Sequence, residues 1–202
     1  MIVAYVLFLD FNDTYMLDGP TYRPVDAGGF FDWRYGKEGA PHPATCGTCG
    51  SKTDPSYIGQ KYRAKRRNRD LGGTYDGYHV VSRRFRDFCE ERAFTGMEFV
   101  PLPADSDFFV LRLSLVLPFD AERRGTTIAN PCPQCKAYHE VIGVTPPYLR
   151  GVSEPILEGF FRTDLEFGSG HSQRPLIVVG TGTYAELRAG KFKKFSADAV
   201  MA

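Results

Sequence analysis

Two pairs of cysteines, each with the spacing Cys-x-x-Cys, constrain the fold of this chain more than any other feature of its sequence. The first pair reads CGTCG at 46–50 and the second reads CPQCK at 132–136. A two-residue spacer lets the backbone turn tightly, so that both sulfurs of a pair can face one cation. Four thiolates in a tetrahedral array are typical of structural zinc, and they leave no open coordination position for catalysis. The sequence therefore predicts one structural Zn²⁺ site, with the ligands Cys46, Cys49, Cys132 and Cys135.

The distance between the pairs adds a second constraint. Residues 50–131 separate them, whereas the pairs of a compact zinc ribbon stand about 15–20 residues apart. The insertion must then belong to the domain, and the zinc would join two distant knuckles of one fold. Redox activity is the alternative for such motifs, but it favours a thiol pair at the start of a helix after a strand, and neither pair here is followed by a helical pattern.

Length and composition indicate one ordinary domain. The chain has 202 residues, of which 43% are hydrophobic, including 16 Phe and 11 Tyr, and this is enough to bury a core. A net charge of +1 argues against a nucleic-acid or membrane partner selected by bulk charge. Residues 1–9 are apolar but lack a basic start, so we expect a buried strand rather than a signal peptide. No segment reaches the roughly 18 apolar residues of a membrane span, and we expect a cytoplasmic protein whose thiols stay reduced.

The hydrophobic pattern predicts an α+β fold, a strand-rich single domain over 1–202 with few short helices. Ser82 is predicted to cap a helix whose apolar face carries Phe85, Phe88 and Cys89, so that Cys89 is a core residue. The best strand is 108–117, in which Leu111, Leu113, Leu115 and Leu117 share one face. Further strands are predicted at 78–81, 97–102, 139–144, 176–179 and 191–195, further helices at 153–157 and 184–189, and a loop-rich stretch at 12–77.

Two strand–helix–strand segments of the sequence are weakly alike. Each has a strand ending in Val-Val, then a small residue, a short helix, a glycine and an aromatic strand. Val80 and Val81 match Val178 and Val179 at one fixed offset. We interpret this as a weak structural echo and not as a proven repeat.

One basic run and one polar segment are further candidates for function. Lys61–Arg69 (KYRAKRRNR) could contact phosphates, or it could be a solvated surface loop. In 160–171 (FFRTDLEFGSGH), an enzyme would use Glu166 and His171 as an acid/base pair. However, Asp164 and Glu166 alternate with apolar residues as on the exposed face of a strand, and no nucleophile elbow or phosphate-binding glycine loop is present. We therefore expect a protein that is not an enzyme.

Isolated acidic and imidazole side chains complete the candidates. Asp10, Asp13 and Asp18 lack the spacing of a metal-binding loop, and we expect them to cap loops. His42, His79 and His139 are single histidines. Of these, His139 lies closest to the second knuckle and is a minor candidate for the metal shell.

The two knuckles, the first as CGTCG, and the long region between them resemble the double-CXXCG motif family of bacterial proteins. The segments YHVVSRRFRDFCEERAFTGMEFVPL (78–102) and FFRTDLEFGSGHSQRPLIVV (160–179) resemble a wider group of immunity proteins of bacterial polymorphic toxin systems. The second knuckle departs from the family pattern, because Lys136 stands where the family has glycine. The resemblance implies a small cytoplasmic protein that binds and neutralises a cognate toxin. Of the family's residues, only the four cysteines carry over.

We therefore expect a non-enzymatic, zinc-stabilised binding protein, an immunity protein with a cognate toxin as its partner. The alternative is a zinc-ribbon-like nucleic-acid-binding or regulatory protein that uses Lys61–Arg69.

Overall fold

The computed structural model describes residues 1–11, 13–17, 20–24, 31–35, 42–192 and 194–202. The strands are β1 (Ile2–Leu9), β2 (Pro20–Pro24), β3 (Phe31–Tyr35), β4 (Leu71–Gly73), β5 (His79–Ser82), β6 (Met97–Leu102), β7 (Asp105–Leu113), β8 (Val116–Leu117), β9 (Thr127–Pro131), β10 (Tyr138–Ile142), β11 (Phe160–Ser169), β12 (Arg174–Val179) and β13 (Phe195–Met201). The helices are α1 (Arg83–Glu91), α2 (Ala121–Arg124) and α3 (Thr181–Ala189), and a 3₁₀ turn covers Gly170–Ser172. The expectation of a strand-rich chain with few short helices is confirmed.

The strands form two sheets and a separate hairpin of β2 and β3. Sheet A has seven strands in the order β13-β1-β12-β11-β10-β9, with β8 beside β11, and sheet B has four in the order β4-β5-β7-β6. Among the described residues, β8 and β11 are the only parallel pair of neighbouring strands, and the other pairs are antiparallel. The predicted strand at the N-terminus is confirmed, and it lies inside sheet A as β1.

Each sheet contains a strand–helix–strand unit built on a nine-residue helix, β5–α1–β6 in sheet B and β12–α3–β13 in sheet A. In both units the two strands are parallel to each other, and one antiparallel strand lies between them, β7 in sheet B and β1 in sheet A. The connections differ, because β7 follows β6 directly whereas β1 is the first strand of the chain. The two sheets therefore share this arrangement of three strands and one helix, although the central strand comes at a different point along the chain.

The two strand–helix–strand units also have the same backbone hydrogen bond after the end of the helix. The amide of Phe94 donates to the carbonyl of Cys89 at 3.2 Å, and the amide of Phe192 donates to the carbonyl of Leu187 at 3.3 Å. These pairs, and the first residues of β6 and β13, are related by the same offset as the two Val-Val pairs. The weak echo in the sequence thus marks a structural repeat, whose outward-facing and helical side chains have diverged.

Both faces of the central strands are buried. Val81 and Val179 point into the core between the two sheets, while their neighbours Val80 and Val178 point into separate apolar clusters on the outer faces. The core between the sheets also takes the apolar faces of both helices, with the buried side chains Phe85, Phe88, Cys89 and Leu187. The predicted cap of α1 is confirmed, because the Ser82 hydroxyl accepts the Phe85 amide at 3.2 Å.

The prediction of one strand over 108–117 is wrong in its second half. Leu111 and Leu113 are buried between the sheets as expected, but Leu115 is 37% exposed and Leu117 packs on the outer face of sheet A. The cause is a change of partner, since the Leu115 carbonyl accepts the amide of Arg162 in β11 at 2.8 Å. The chain leaves sheet B at Ser114 and joins sheet A as β8.

The predicted helix at 153–157 does not form. The amide of Ile156 donates to the Val3 carbonyl in β1, and its carbonyl accepts the amide of Thr181 at the start of α3, both at 2.8 Å. The backbone is thus held by other parts of the chain, and a helix would give up these bonds.

Two further expectations need correction. The predicted strand at 191–195 is wrong except at Phe195, where β13 starts, because Lys191 and Lys194 have φ values of 52° and 72° that a strand does not accommodate. The stretch 12–77, predicted as loop-rich, contains the strands β2, β3 and β4.

Candidate metal centre

The four predicted ligand cysteines come together in the described structure. Cys46 and Cys49 lie in a loop closed by an isolated bridge between Thr45 and Lys52. Cys132 and Cys135 lie in the turn that joins β9 to β10, at one end of sheet A. The wide separation in sequence is therefore bridged by the fold, as the two-knuckle hypothesis requires.

The two loops have the same backbone conformation. In the first, the Gly50 amide donates to the Cys46 carbonyl at 2.8 Å, and in the second the Lys136 amide donates to the Cys132 carbonyl at 3.0 Å. In each loop the amide of the first cysteine also donates, at 2.8 Å, to the carbonyl five residues further on. Gly50 and Lys136 both have a left-handed backbone, with φ values of 74° and 65°. A lysine thus stands where the conformation favours glycine.

The sulfur positions fit a single tetrahedral ion. The Sγ atoms of Cys46 and Cys132 are 3.9 Å apart and those of Cys49 and Cys135 are 3.5 Å apart, and all four lie within 4.8 Å of one another. Zinc–sulfur bonds of about 2.3 Å at tetrahedral angles place the sulfurs about 3.8 Å apart. A disulfide would need about 2.05 Å, and all four cysteines are free thiols. The cluster can therefore hold a metal ion.

Backbone amides prepare two of the thiols for ionisation. The amides of Cys135 and Gln134 hydrogen-bond to the sulfur of Cys132 and lower its pKa to about 6. Burial acts to raise the pKa of Cys46, but the corresponding amides of its own loop outweigh burial and lower the pKa. Burial raises the pKa of Cys49, and it raises that of Cys135 to about 12. Full ionisation of all four thiols therefore needs a cation among them.

Contacts around the cluster hold the two loops against each other. The Thr48 hydroxyl in the first loop donates to the side-chain oxygen of Gln134 in the second. Cys46 and Cys132 are buried, whereas Cys49 and Cys135 are half-buried. A metal ion held by all four sulfurs would have no open coordination position for a substrate.

Lys52, which sequence reasoning missed, ties the first loop to both sheets. Its Nζ donates to the carbonyls of Asp76, His171 and Gln173, the last two at 3.0 and 2.7 Å. Burial lowers the pKa of Lys52 to about 8. The one available signal was its position two residues after the first knuckle. A side chain at this position is held close to the parts of the chain on which the cysteine loop packs.

The remaining cysteine and the histidines do not join the cluster. Cys89 is buried in the core between the sheets, as predicted, and burial raises the pKa of its thiol. His139 is absent from the group of ligand atoms, which among the described residues comprises the four cysteines alone. His42 is buried, and its Nδ1 accepts the amide of Ala44 at 3.1 Å, so it supports the loop before Cys46.

The acidic and imidazole residues of the segment 160–171 lie in different surroundings. The Asp164 carboxylate accepts the amides of Phe119 and Leu165 and faces Arg150 at 3.5 Å. Glu166 is exposed on β11 and lines a cavity between the sheets, whereas His171 is not among the residues that line it. Asp164 thus has a structural role.

The basic run is partly neutralised. Arg67 pairs with Asp105 and Asp107 at 2.8 and 2.7 Å, and Arg69 pairs with Asp10 at 3.2 Å. The backbone of the run is also anchored, because the Asp13 carboxylate accepts the amides of Lys65 and Arg66.

The predicted roles of the N-terminal aspartates can now be assigned for two of the three. Asp13 caps a loop as predicted, since it also accepts the amide of Thr14. Asp10 serves as an ion-pair partner, and Asp18 lies outside the described residues.

Comparison with known proteins gives no relative. No protein-family model matches the chain, and no curated protein is significantly similar to it. In the part of the chain that the structure describes, no helix is long and apolar enough to cross a membrane.

Proposed function

We propose that the cysteine cluster binds Zn²⁺ as a structural ion in a single α+β domain. Four thiolates at tetrahedral spacing are the ligand set that zinc prefers for structural sites. The amide hydrogen bonds to the sulfurs disperse the negative charge that one divalent cation leaves on four thiolates. The ion would then link the loop before β4 to the hairpin of β9 and β10.

We further propose that the protein acts by binding another protein, as an immunity protein that neutralises a cognate toxin. The observation that carries a binding role is the hairpin fixed by the cluster. Tyr138 and Ile142 of β10 share a face and are 46% and 50% exposed, and β9 is the last strand of sheet A, with an outer edge that no described strand covers. Exposed apolar and aromatic side chains on a rigid element are typical of protein interfaces. The toxin as partner rests on the resemblance of the knuckles to the double-CXXCG family.

Co-expression tests this function directly. The gene would be expressed together with the toxin gene that neighbours it in its genome, and we expect growth to be restored and a complex to be recovered by affinity purification. A Cys132→Ser variant should lose protection because the hairpin is no longer fixed, whereas Cys89→Ala, which changes a cysteine outside the cluster, should retain it. Continued toxicity with well-expressed, zinc-loaded protein, and no recovered complex, would reject the immunity role.

Nucleic-acid binding remains the second candidate, because part of the basic run is free. Lys61, Arg63, Lys65 and Arg66 are exposed and form no ion pair with a described residue. A nucleic-acid partner would bind with an affinity that falls steeply with salt, and changing these four residues to glutamine should abolish the binding. Absence of retention on DNA and RNA at low salt would eliminate this alternative.

A further inference from the structure

A cavity between the two sheets carries an unusual set of charges. It has a volume of about 320 Å³ and lies among β5, β7, β11 and β12. Four cationic side chains line it, and the acidic side chain that lines it is Glu166. The cationic residues are Lys52, Arg112, Arg162 and Arg174. Cavities of this size are at the lower end of the range that small-molecule ligands occupy.

Two of these cations have no carboxylate partner among the described residues. The Arg174 guanidinium stacks 3.5 Å from the ring centroid of Phe11, and its Nη1 donates to the Ser172 carbonyl at 2.8 Å. In Arg162, Nε donates to the Leu113 carbonyl at 3.0 Å and Nη1 donates to the Thr163 carbonyl at 3.2 Å. The Nη2 groups of both arginines make no hydrogen bond to a described residue. Both arginines are half-buried, and a partly desolvated charge without a counter-charge is stabilised when a ligand supplies one.

The other two cations are only partly compensated. Arg112 faces Glu98 at 3.5 Å, and its buried Nε has no hydrogen-bond partner. Lys52 uses its three donors on carbonyls, as described above, so it contributes charge to the cavity without a free N–H. The lining therefore carries four positive charges and one negative charge, that of Glu166. Three carboxylates outside the lining act on two of its cations: Glu98 and Asp54 lie near Arg112, and the buried Asp76 lies near Lys52.

His79 in the cavity wall adds no charge of its own. Burial, with Arg174 and Lys52 nearby, lowers its pKa to about 3, so its imidazole is neutral at physiological pH. Burial likewise lowers the pKa of Arg174 to about 10, which leaves the guanidinium charged. The excess of positive charge in the cavity therefore persists across the physiological range.

We propose that this cavity binds a small anion that bears a phosphate group. Guanidinium groups from β7, β11 and β12 offer N–H donors from different strands, and a phosphate has three or more oxygens to accept them. A phosphate monoester carries close to two negative charges at neutral pH, which suits an excess of cations better than a monoanion does. The site is distinct from the cysteine cluster, although Lys52 of its lining closes the first cysteine loop, and it does not depend on the protein partner proposed above.

Calorimetry with inorganic phosphate tests the site on the full, zinc-loaded chain. At constant ionic strength we expect phosphate to bind at one saturable site. Acetate carries about one negative charge fewer than phosphate, so at the same ionic strength it should bind at least tenfold more weakly. Arg174→Gln should weaken phosphate binding about tenfold or more. Arg188→Gln, which changes an exposed arginine of α3 far from the cavity lining, should have no effect.

A second variant moves the affinity in the opposite direction and is unlike a folding defect. Glu166→Gln removes the acidic residue of the lining from an exposed position, and it should tighten phosphate binding about threefold to tenfold. Glu154→Gln, an exposed carboxylate outside the cavity, is its matched control. No saturable phosphate binding up to about 10 mM, or equal binding by wild type and Glu166→Gln, would overturn the proposal. Acetate binding as tight as phosphate would overturn the phosphate assignment.

Discussion

At the scale of single residues, the two metal loops share one backbone conformation but differ at the position after the second cysteine. Gly50 and Lys136 both have positive φ values. A residue with a Cβ atom in this region of the Ramachandran map costs roughly 1 kcal/mol relative to glycine. The second knuckle tolerates this cost because its loop is also held by the hairpin of β9 and β10, whereas the first is closed by one isolated bridge.

This difference leads to opposite expectations for two substitutions. Gly50→Ala should lower the free energy of unfolding by about 1 kcal/mol, and Lys136→Gly should raise it by about 0.5 kcal/mol. The smaller gain reflects the hydrogen bond from Lys136 Nζ to the Pro133 carbonyl, which glycine loses. Urea unfolding at a buffered zinc concentration measures both. The same sign of change in the two variants would contradict the shared conformation.

Lys52 is a second residue whose substitution should have a large effect on stability. Lys52→Met keeps the length of the side chain but leaves three buried carbonyls without a donor, so we expect a loss of about 3 kcal/mol in the free energy of unfolding. Lys61→Met, at an exposed position of the basic run, is the control and should change stability by less than about 0.5 kcal/mol. Equal effects of the two substitutions, measured by denaturant unfolding, would refute the anchoring role.

At the scale of elements, the repeated strand–helix–strand units show how one topology tolerates different sequences. Ser82 caps α1 with its side chain, while the equivalent position before α3 is Gly180, which has no side chain to offer. The reason lies in the surroundings, because a Cβ on Gly180 would approach the carbonyl of Leu157 to 2.6 Å and the amide of Glu158 to 2.7 Å. The segment 153–157, which hydrogen-bonds to β1 and α3 and is here called the strap, thus occupies, together with the amide of Glu158, the space that a capping side chain would need.

The two cap positions should therefore respond differently to serine and alanine. Ser82→Ala removes the cap and should cost about 1 kcal/mol of stability. Gly180→Ser introduces a residue that normally favours this position, yet it should destabilise the protein by about 2 kcal/mol or more, because the contact is with backbone atoms. Thermal unfolding followed by circular dichroism distinguishes the cases. A stabilising Gly180→Ser would show that the strap moves aside at little cost.

At the scale of the whole molecule, the metal cluster connects parts of the chain that the sheets alone leave apart. The first loop packs through Lys52 on the turn before β5 and on the 3₁₀ turn after β11, and the second loop is the far end of the β9–β10 hairpin. Loss of the proposed ion would release both. The core between the sheets does not include these loops, so the rest of the fold should survive.

Removal of the metal should consequently lower stability without complete unfolding. Cys46→Ser and Cys132→Ser should each reduce bound zinc from one ion per chain to well below one, and should lower the melting temperature by about 10 °C. Cys89→Ser is the control, because it should keep the zinc while destabilising the core. Metal analysis and calorimetry give both quantities. Full zinc occupancy in the two ligand variants would reject a single four-cysteine site.

The sequence by itself determined the local features of this protein. The Cys-x-x-Cys spacing predicted which four side chains meet, and the pattern around Ser82 predicted α1 and its buried face, because capping and helical periodicity depend on residues a few positions apart. The strands β1, β6 and β12 were also predicted, because the apolar runs that indicate a strand extend over a few neighbouring residues. The alternating pattern of 108–117 also looked local, but it could not reveal the switch between sheets at Ser114.

Tertiary structure decided everything that depends on which strands become neighbours. The strap at 153–157 does not form a helix, because β1 and α3 offer its backbone hydrogen bonds. The repeat is visible because β1 lies between the two parallel strands in sheet A, as β7 does in sheet B. The cationic cavity arises because Arg112, Arg162 and Arg174 come from three strands and Lys52 from a metal loop. Contacts between residues far apart in the chain set the partners of each backbone and each charge. Short-range patterns carry no record of these contacts, except for the two cysteine pairs, whose shared chemistry indicates that they meet.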